Sequence, residues 1–175
     1  MAGKNIVYLI GFMGSGKSTA GKKLASLLKW SFIDLDKQIE EHTGKSIPEI
    51  FSQEGEEYFR LVESELLKNT GSRNNTIVST GGGSPCYSVN MDFMLETGLT
   101  VYLKMTPSQL KSRLADSRKG NRPLINDLRE EELSDYISEK LANREPWYNR
   151  AEIIVESLNL NINSLYLIIK SNFSI

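Results

Sequence analysis

The sequence predicts an α/β fold of three layers, with a parallel sheet of about five strands between two layers of helices. Three observations carry that expectation. Short runs rich in Val, Ile and Tyr alternate with longer stretches of helical period. Each run is apolar through its centre, as strands covered on both faces are, where a half-exposed strand would alternate. The first run leads directly into a glycine-rich loop and then a helix, which is how many parallel sheets begin.

In chain order, the predicted strands are Asn5–Ile10, Ser31–Asp34, Thr76–Ser79, Leu99–Lys104 and Ile153–Glu156. After the glycine loop, Ala20, Leu24, Leu27 and Leu28 fall at i, i+4, i+7 and i+8, one face of a helix. Ser46 followed by Glu49 is a capping-box start. Phe59, Val62, Leu66 and Leu67 stripe a helix over Glu56–Asn69. Thr106, Pro107 and Gln109 supply an N-cap, an N1 proline and an N3 side chain for another. Glu130–Arg144 and Asn163–Lys170 read as two further helices. No repeat or low-complexity segment interrupts the pattern, so residues 1–175 are expected to form a single domain.

At 175 residues, folding should hide roughly 70% of the surface that the unfolded chain exposes, enough for a true core. Lys and Arg total 21 against 22 Asp and Glu, a balance that argues against nucleic acid or a membrane surface as partner. One cysteine, Cys86, cannot close an internal disulfide, and with His42 as the one histidine a transition-metal site is not expected. The apolar run in "MAGKNIVYLIG" is too short for a secretory segment, so the cytoplasm is the expected compartment.

"GFMGSGKS" fits G-x-x-x-x-G-K-[ST] through Gly11, Gly16, Lys17 and Ser18. Gly11, Gly14 and Gly16 permit the backbone turns that aim successive N–H groups at phosphate oxygens. The next helix presents its N-terminus to the same anion. Lys17 adds a charge for the β- and γ-phosphates, and Ser18 a hydroxyl for Mg²⁺. A strand before and a helix after the loop make a nucleoside triphosphate the expected ligand.

Three uses of the triphosphate compete. A regulatory GTPase or mechanical ATPase is disfavoured, because neither N-K-x-D nor D-x-x-G occurs and the third strand ends in "STGGG" without a Walker-B aspartate. A sensing module that has lost turnover would be expected to lose at least one catalytic residue while keeping the loop. A small phosphotransferase fits best, with a gluconate-type sugar-acid kinase among the options.

The acceptor site is sought at the carboxyl ends of the strands, where open parallel sheets bind ligands. "FIDLD" places Asp34 and Asp36 there, and strand alternation would send them in different directions. Asp36 could equally cap a helix beginning at Lys37. Gly81, Gly82 and Gly83 in "STGGGSP" sacrifice backbone entropy, either for a sharp turn or because something must come close. Arg60 and Arg144, taken alone, read as surface ion pairs with neighbours such as Glu56 and Glu145. The charged stretch 116–132 reads as a solvated loop or as a mobile lid. Cys86 lies just past the triplet and reads as a small buried side chain.

Taken together, "GFMGSGKST", "FIDLD", "GEEYFRLVE", "TGGG" and "RPLI" resemble the shikimate kinases in order and spacing, over roughly Ile6 to Tyr148. The resemblance implies a P-loop kinase fold with a mobile lid near 116–132 and a substrate-binding helical region near 36–69. It implies transfer of the γ-phosphoryl of ATP to the 3-hydroxyl of shikimate, in aromatic amino-acid biosynthesis, by a cytoplasmic monomer. Gly14, Ser15, Gly16, Lys17, Ser18, Thr19 and Arg122 would bind ATP. Asp36, Arg60, Gly81, Gly82, Gly83 and Arg144 would bind shikimate, with Lys17, Asp36 and Arg122 catalytic. Ser18, and Asp34 through water, would hold Mg²⁺. The chain departs from the family in two respects: the loop after the last strand, "ESLNLNINSL", has no proline, so no adenine-contacting residue is assigned there, and Arg118 matches only loosely the family arginine that precedes "RPLI".

Overall fold

The computed structural model describes residues 5–116 and 129–173. Five parallel strands lie in the order β2-β3-β1-β4-β5: β1 (Ile6–Ile10), β2 (Ser31–Asp34), β3 (Thr76–Ser79), β4 (Leu99–Lys104) and β5 (Ile153–Glu156). All five coincide with the predicted runs, the first starting one residue later. Among the described residues the helices are α1 (Lys17–Leu28), α2 (Leu35–Thr43), α3 (Ile47–Gln53), α4 (Gly55–Thr70), α5 (Asn90–Thr97), α6 (Pro107–Asp116), α7 (Glu130–Tyr148) and α8 (Ile162–Phe173). A 3₁₀ turn spans Ser84–Cys86.

The central strand shows why the run is continuously apolar. All five residues of β1 are buried, and alternation divides them between two cores. Ile6, Tyr8 and Ile10 join the core built with Leu35 and Ile39 of α2, Phe59 and Leu67 of α4, and Ile137 and Tyr148 of α7. Val7 and Leu9 join the opposite core with Leu24 of α1 and Leu165 and Ile169 of α8. The edge strands β2 and β5 are only partly covered.

Four helices differ from expectation by more than a residue, α8 by running three residues past Lys170 to Phe173. The sequence does not mark α5, a short helix that buries Asn90, Met91 and Met94 and packs Phe93 and Leu95 against the core. Helix α7 runs four residues beyond Arg144, through Pro146, because Tyr148 is drawn fully into the core. Asp36 caps nothing: β2 passes into α2 at Leu35, and Asp34 is the N-cap, accepting from the Lys37 N–H at 3.5 Å. The two carboxylates therefore diverge by a strand-to-helix transition, not by strand alternation. Ser46 and Glu49 do form a capping box at the start of α3.

Candidate active site

β1 lies between β3 and β4, so the loop after β1 and the turn after β3 emerge side by side. Next to them opens a cleft of about 1070 Å³. It is lined by the phosphate loop and the start of α1, by Ile47, Pro48, Phe51 and Ser52 of α3, and by Asp36, Glu40, Ser79, Thr80, Gly82 and Arg113.

Gly16 adopts φ 91° immediately before α1, a conformation that any side chain would strain. Lys17 Nζ donates to the carbonyls of Gly11 at 2.8 Å and Phe12 at 3.0 Å, folding the lysine across its own loop. Ser15 is fully buried. Its carbonyl accepts from Ser157 Oγ at 2.5 Å, which ties the segment after β5 to the phosphate loop.

Ser18 Oγ donates to Asp34 Oδ2 at 2.7 Å and lies 3.2 Å from Ser79 Oγ. Two hydroxyls and a carboxylate form a hard-oxygen set suited to Mg²⁺, which takes one or two carboxylates and completes its shell with water and phosphate oxygens. Among the described residues, no three His, Cys, Asp or Glu side chains gather as a metal cage; a magnesium ion held against a triphosphate does not need one.

The triplet has a specific physical reason. A Cβ on Gly81 would collide with Glu63 Oε1 and stand 3.1 Å from Asp36 Oδ1. On Gly82 it would lie 3.4 Å from the Arg144 guanidinium, and on Gly83 2.5 Å from that of Arg60. The triplet backbone thus packs against two carboxylates and two guanidinium groups, and Gly82 also lies close to the Met13 backbone nitrogen.

Those groups are held from behind. Arg60 Nη1 donates to Glu63 Oε2 at 2.7 Å, and Arg60 also contacts Glu56 at 3.2 Å. Burial opposes the Arg60 charge, but the Glu63 and Glu56 carboxylates more than offset it and hold the guanidinium above its usual pKa. Glu63 is fully buried and also accepts from Ser84 Oγ. The expected Glu56 pair thus exists beside a stronger buried one. The Arg144–Glu145 pair does not form: Glu145 meets Lys104 at 3.7 Å, and Arg144 lies over the Phe12 ring at 5.4 Å. Burial is the largest influence on Asp36, raising its pKa to about 6; Lys17 opposes, while Glu63, Asp34 and Glu40 add to the rise. Burial likewise pushes the Cys86 thiol up to about 11, keeping it protonated and inert.

A model of the shikimate kinase family matches residues 13–169. The chain belongs to the shikimate kinase family. A shikimate kinase of Parabacteroides distasonis is 43% identical over 151 residues, covering 86% of this chain and 87% of the relative. The crystal structure of a shikimate kinase from Bacteroides thetaiotaomicron superposes with a TM-score of 0.89 at 37% identity, covering 98% of this chain and 99% of the other. A shikimate kinase from Acinetobacter baumannii, in complex with shikimate, gives 0.86 at 33% identity, covering 99% and 95%. Membership makes this chain an enzyme, an ATP-binding kinase of the shikimate pathway.

Of the family residues anticipated from sequence, Asp36, Arg60, Gly81, Gly82, Gly83 and Arg144 converge around one turn, and Lys17, Ser18 and Asp34 around the adjacent loop. Arg122 and most of the expected lid lie outside the described residues; the ends of that range belong to α6 and α7. Sequence reasoning missed Glu63, Glu40 and Arg113. Arg113 Nη1 reaches Gly14 O at 3.4 Å from α6, 99 residues away. A lone arginine on an amphipathic helix carries no local signal of such a contact.

Proposed function

We propose that the chain transfers the γ-phosphoryl of ATP to the 3-hydroxyl of shikimate, giving shikimate 3-phosphate and ADP. The observation that carries this reading is the glycine triplet, packed against Asp36, Arg144 and Arg60 beside the phosphate loop. Two guanidinium groups suit a carboxylate, and a neighbouring aspartate suits hydroxyls. The shikimate bound by the Acinetobacter baumannii relative carries both.

In this mechanism the loop amides, Lys17 and Thr19 hold the triphosphate, and Ser18 and Asp34 would hold Mg²⁺. Bound there, the ion neutralises phosphate charge. Arg60 and Arg144 grip the acceptor carboxylate, and the triplet lets the acceptor approach the backbone closely. Asp36 orients the attacking hydroxyl and accepts its proton as the new O–Pγ bond forms and the bond to the leaving ADP oxygen breaks. Arg122 is the arginine that this reading assigns to the phosphates. The enzyme acts as a cytoplasmic monomer.

The test is ADP release with ATP and Mg²⁺ in the presence of shikimate, gluconate or no acceptor. Shikimate-dependent release is expected; release with gluconate alone, or without acceptor, would overturn the reading. Arg60→Ala should raise the KM for shikimate about tenfold or more, the cost of a lost charged hydrogen bond, while the KM for ATP barely moves. Equal rises in both would remove Arg60 from acceptor binding.

A further inference from the structure

The peptide between Gly82 and Gly83 has no side chain on either flank, so no Cβ resists its rotation. Its carbonyl is nevertheless held. The Tyr148 hydroxyl donates to Gly82 O at 2.5 Å. Tyr148 is fully buried, and its ring packs on Tyr102 with centroids 5.0 Å apart. Burial raises the phenol well above its ordinary value, so the hydroxyl remains a donor at any working pH. The peptide is trans and planar, so anchoring the carbonyl also sets the Gly83 N–H on the opposite edge.

The same helix carries Arg144 one turn earlier. Residues at i and i+4 share a helix face, and here both meet the turn: Tyr148 holds the Gly82 carbonyl, and the Arg144 guanidinium lies 3.4 Å from the Gly82 Cβ position. From the other side, Ser84 Oγ donates to Glu63 and Ser84 O accepts from Asn90 Nδ2 at 3.0 Å. Those bonds secure the end of the turn on α4 and α5. The Tyr148 bond secures its middle on α7.

We propose that Tyr148 is a positioning residue for the phosphoryl acceptor, its hydroxyl fixing the Gly82–Gly83 peptide against α7 so that the turn and Arg144 meet the acceptor as one preset surface. This rests on the reading of Gly82 and Arg144 as acceptor-binding groups. Without the hydroxyl, a peptide flanked by two glycines is free to turn. The acceptor must then bear the cost of ordering it.

The stacked ring provides the control. Tyr102 OH is buried with no hydrogen-bond partner among the described residues. Y148F and Y102F therefore remove the same atom from two packed buried rings, of which one holds the turn. Both variants and the parent are compared by thermal melting, by calorimetric binding of shikimate, and by KM for shikimate and for ATP. Y148F is expected to melt as a folded protein, weaken shikimate binding about tenfold with a matching rise in KM, and leave the KM for ATP within about twofold. Y102F should leave both constants unchanged. The proposal is overturned if Y148F leaves shikimate binding intact, raises both KM values alike, matches Y102F, or fails to fold. If the parent shows no shikimate-dependent turnover, the acceptor reading itself has failed and takes this inference with it.

Discussion

Asp36 illustrates how position and chemistry combine at the scale of a residue. It stands in the first turn of α2 with Glu63, Asp34 and Glu40 near it and Lys17 as the opposing charge. Burial is the larger force, and the carboxyl rests at about 6, against an ordinary 3.8. Between those values the folded chain keeps a proton that the unfolded chain has lost. The group therefore favours the fold at low pH, and that contribution disappears as pH rises through about 6. Without nucleotide or magnesium, urea midpoints of the parent should fall relative to Asp36→Asn across this window. Parallel pH curves for the two proteins would show that burial does not govern the group. Asp36 also shows the limit of local reading: "FIDLD" marks both aspartates as functional candidates, but only the turn into α2 separates them into a Ser18 partner and a neighbour of Gly81.

At the scale of the element, most boundaries follow from local chemistry. Ser46 and Glu49 satisfy each other's backbone at the start of α3, and Glu40 accepts from Ile47 N at 3.0 Å. The helix that walls the cleft is therefore capped twice over. Gly98 depends instead on a neighbouring strand. It ends α5 in extended backbone, and a Cβ there would lie 2.6 Å from Ile6 O and 2.8 Å from the Tyr8 ring. Because a backbone carbonyl of the central strand cannot move aside, Gly98→Ala should destabilise the protein by about 1–3 kcal/mol in urea unfolding. An unchanged midpoint would mean that β4 can shift on β1. The sequence shows β4 as a strand; it does not show how closely its first turn meets β1.

For the whole molecule, the cleft depends on elements far apart in the chain. The phosphate loop is tied to the segment after β5 across 142 residues and to α6 across 99, while the glycine turn is tied to α7 across 66. No helix among the described residues is long and apolar enough to cross a membrane. A ligand that bridges the loop binds the folded chain alone, so it stabilises by mass action. ADP with Mg²⁺ at about 100 times its Kd should contribute about 2.7 kcal/mol, raising Tm by roughly 5–10 °C for a chain of this size. Lys17→Ala should lose most of that shift, each protein being compared with its own ligand-free Tm. A full shift in the variant would remove Lys17 from nucleotide binding.

By itself the sequence determined the strand–helix order and the phosphate loop, which are encoded by spacing along one strand, one turn or one helix face, where neighbours in sequence are neighbours in space. Arg60 and Arg144 were legible as site residues only through the resemblance to the shikimate kinases, because no local spacing brings them to the glycine triplet. The sequence left α5 unmarked, because two buried methionines in eight residues make no clear period. The tertiary structure alone decided what each glycine of the triplet faces, that Glu63 holds Arg60, that Arg113 reaches the phosphate loop and that Tyr148 grips Gly82. Those contacts exist only once β3 pairs with β1 and the later helices pack back against their ends, and no local pattern records the packing of residues that far apart.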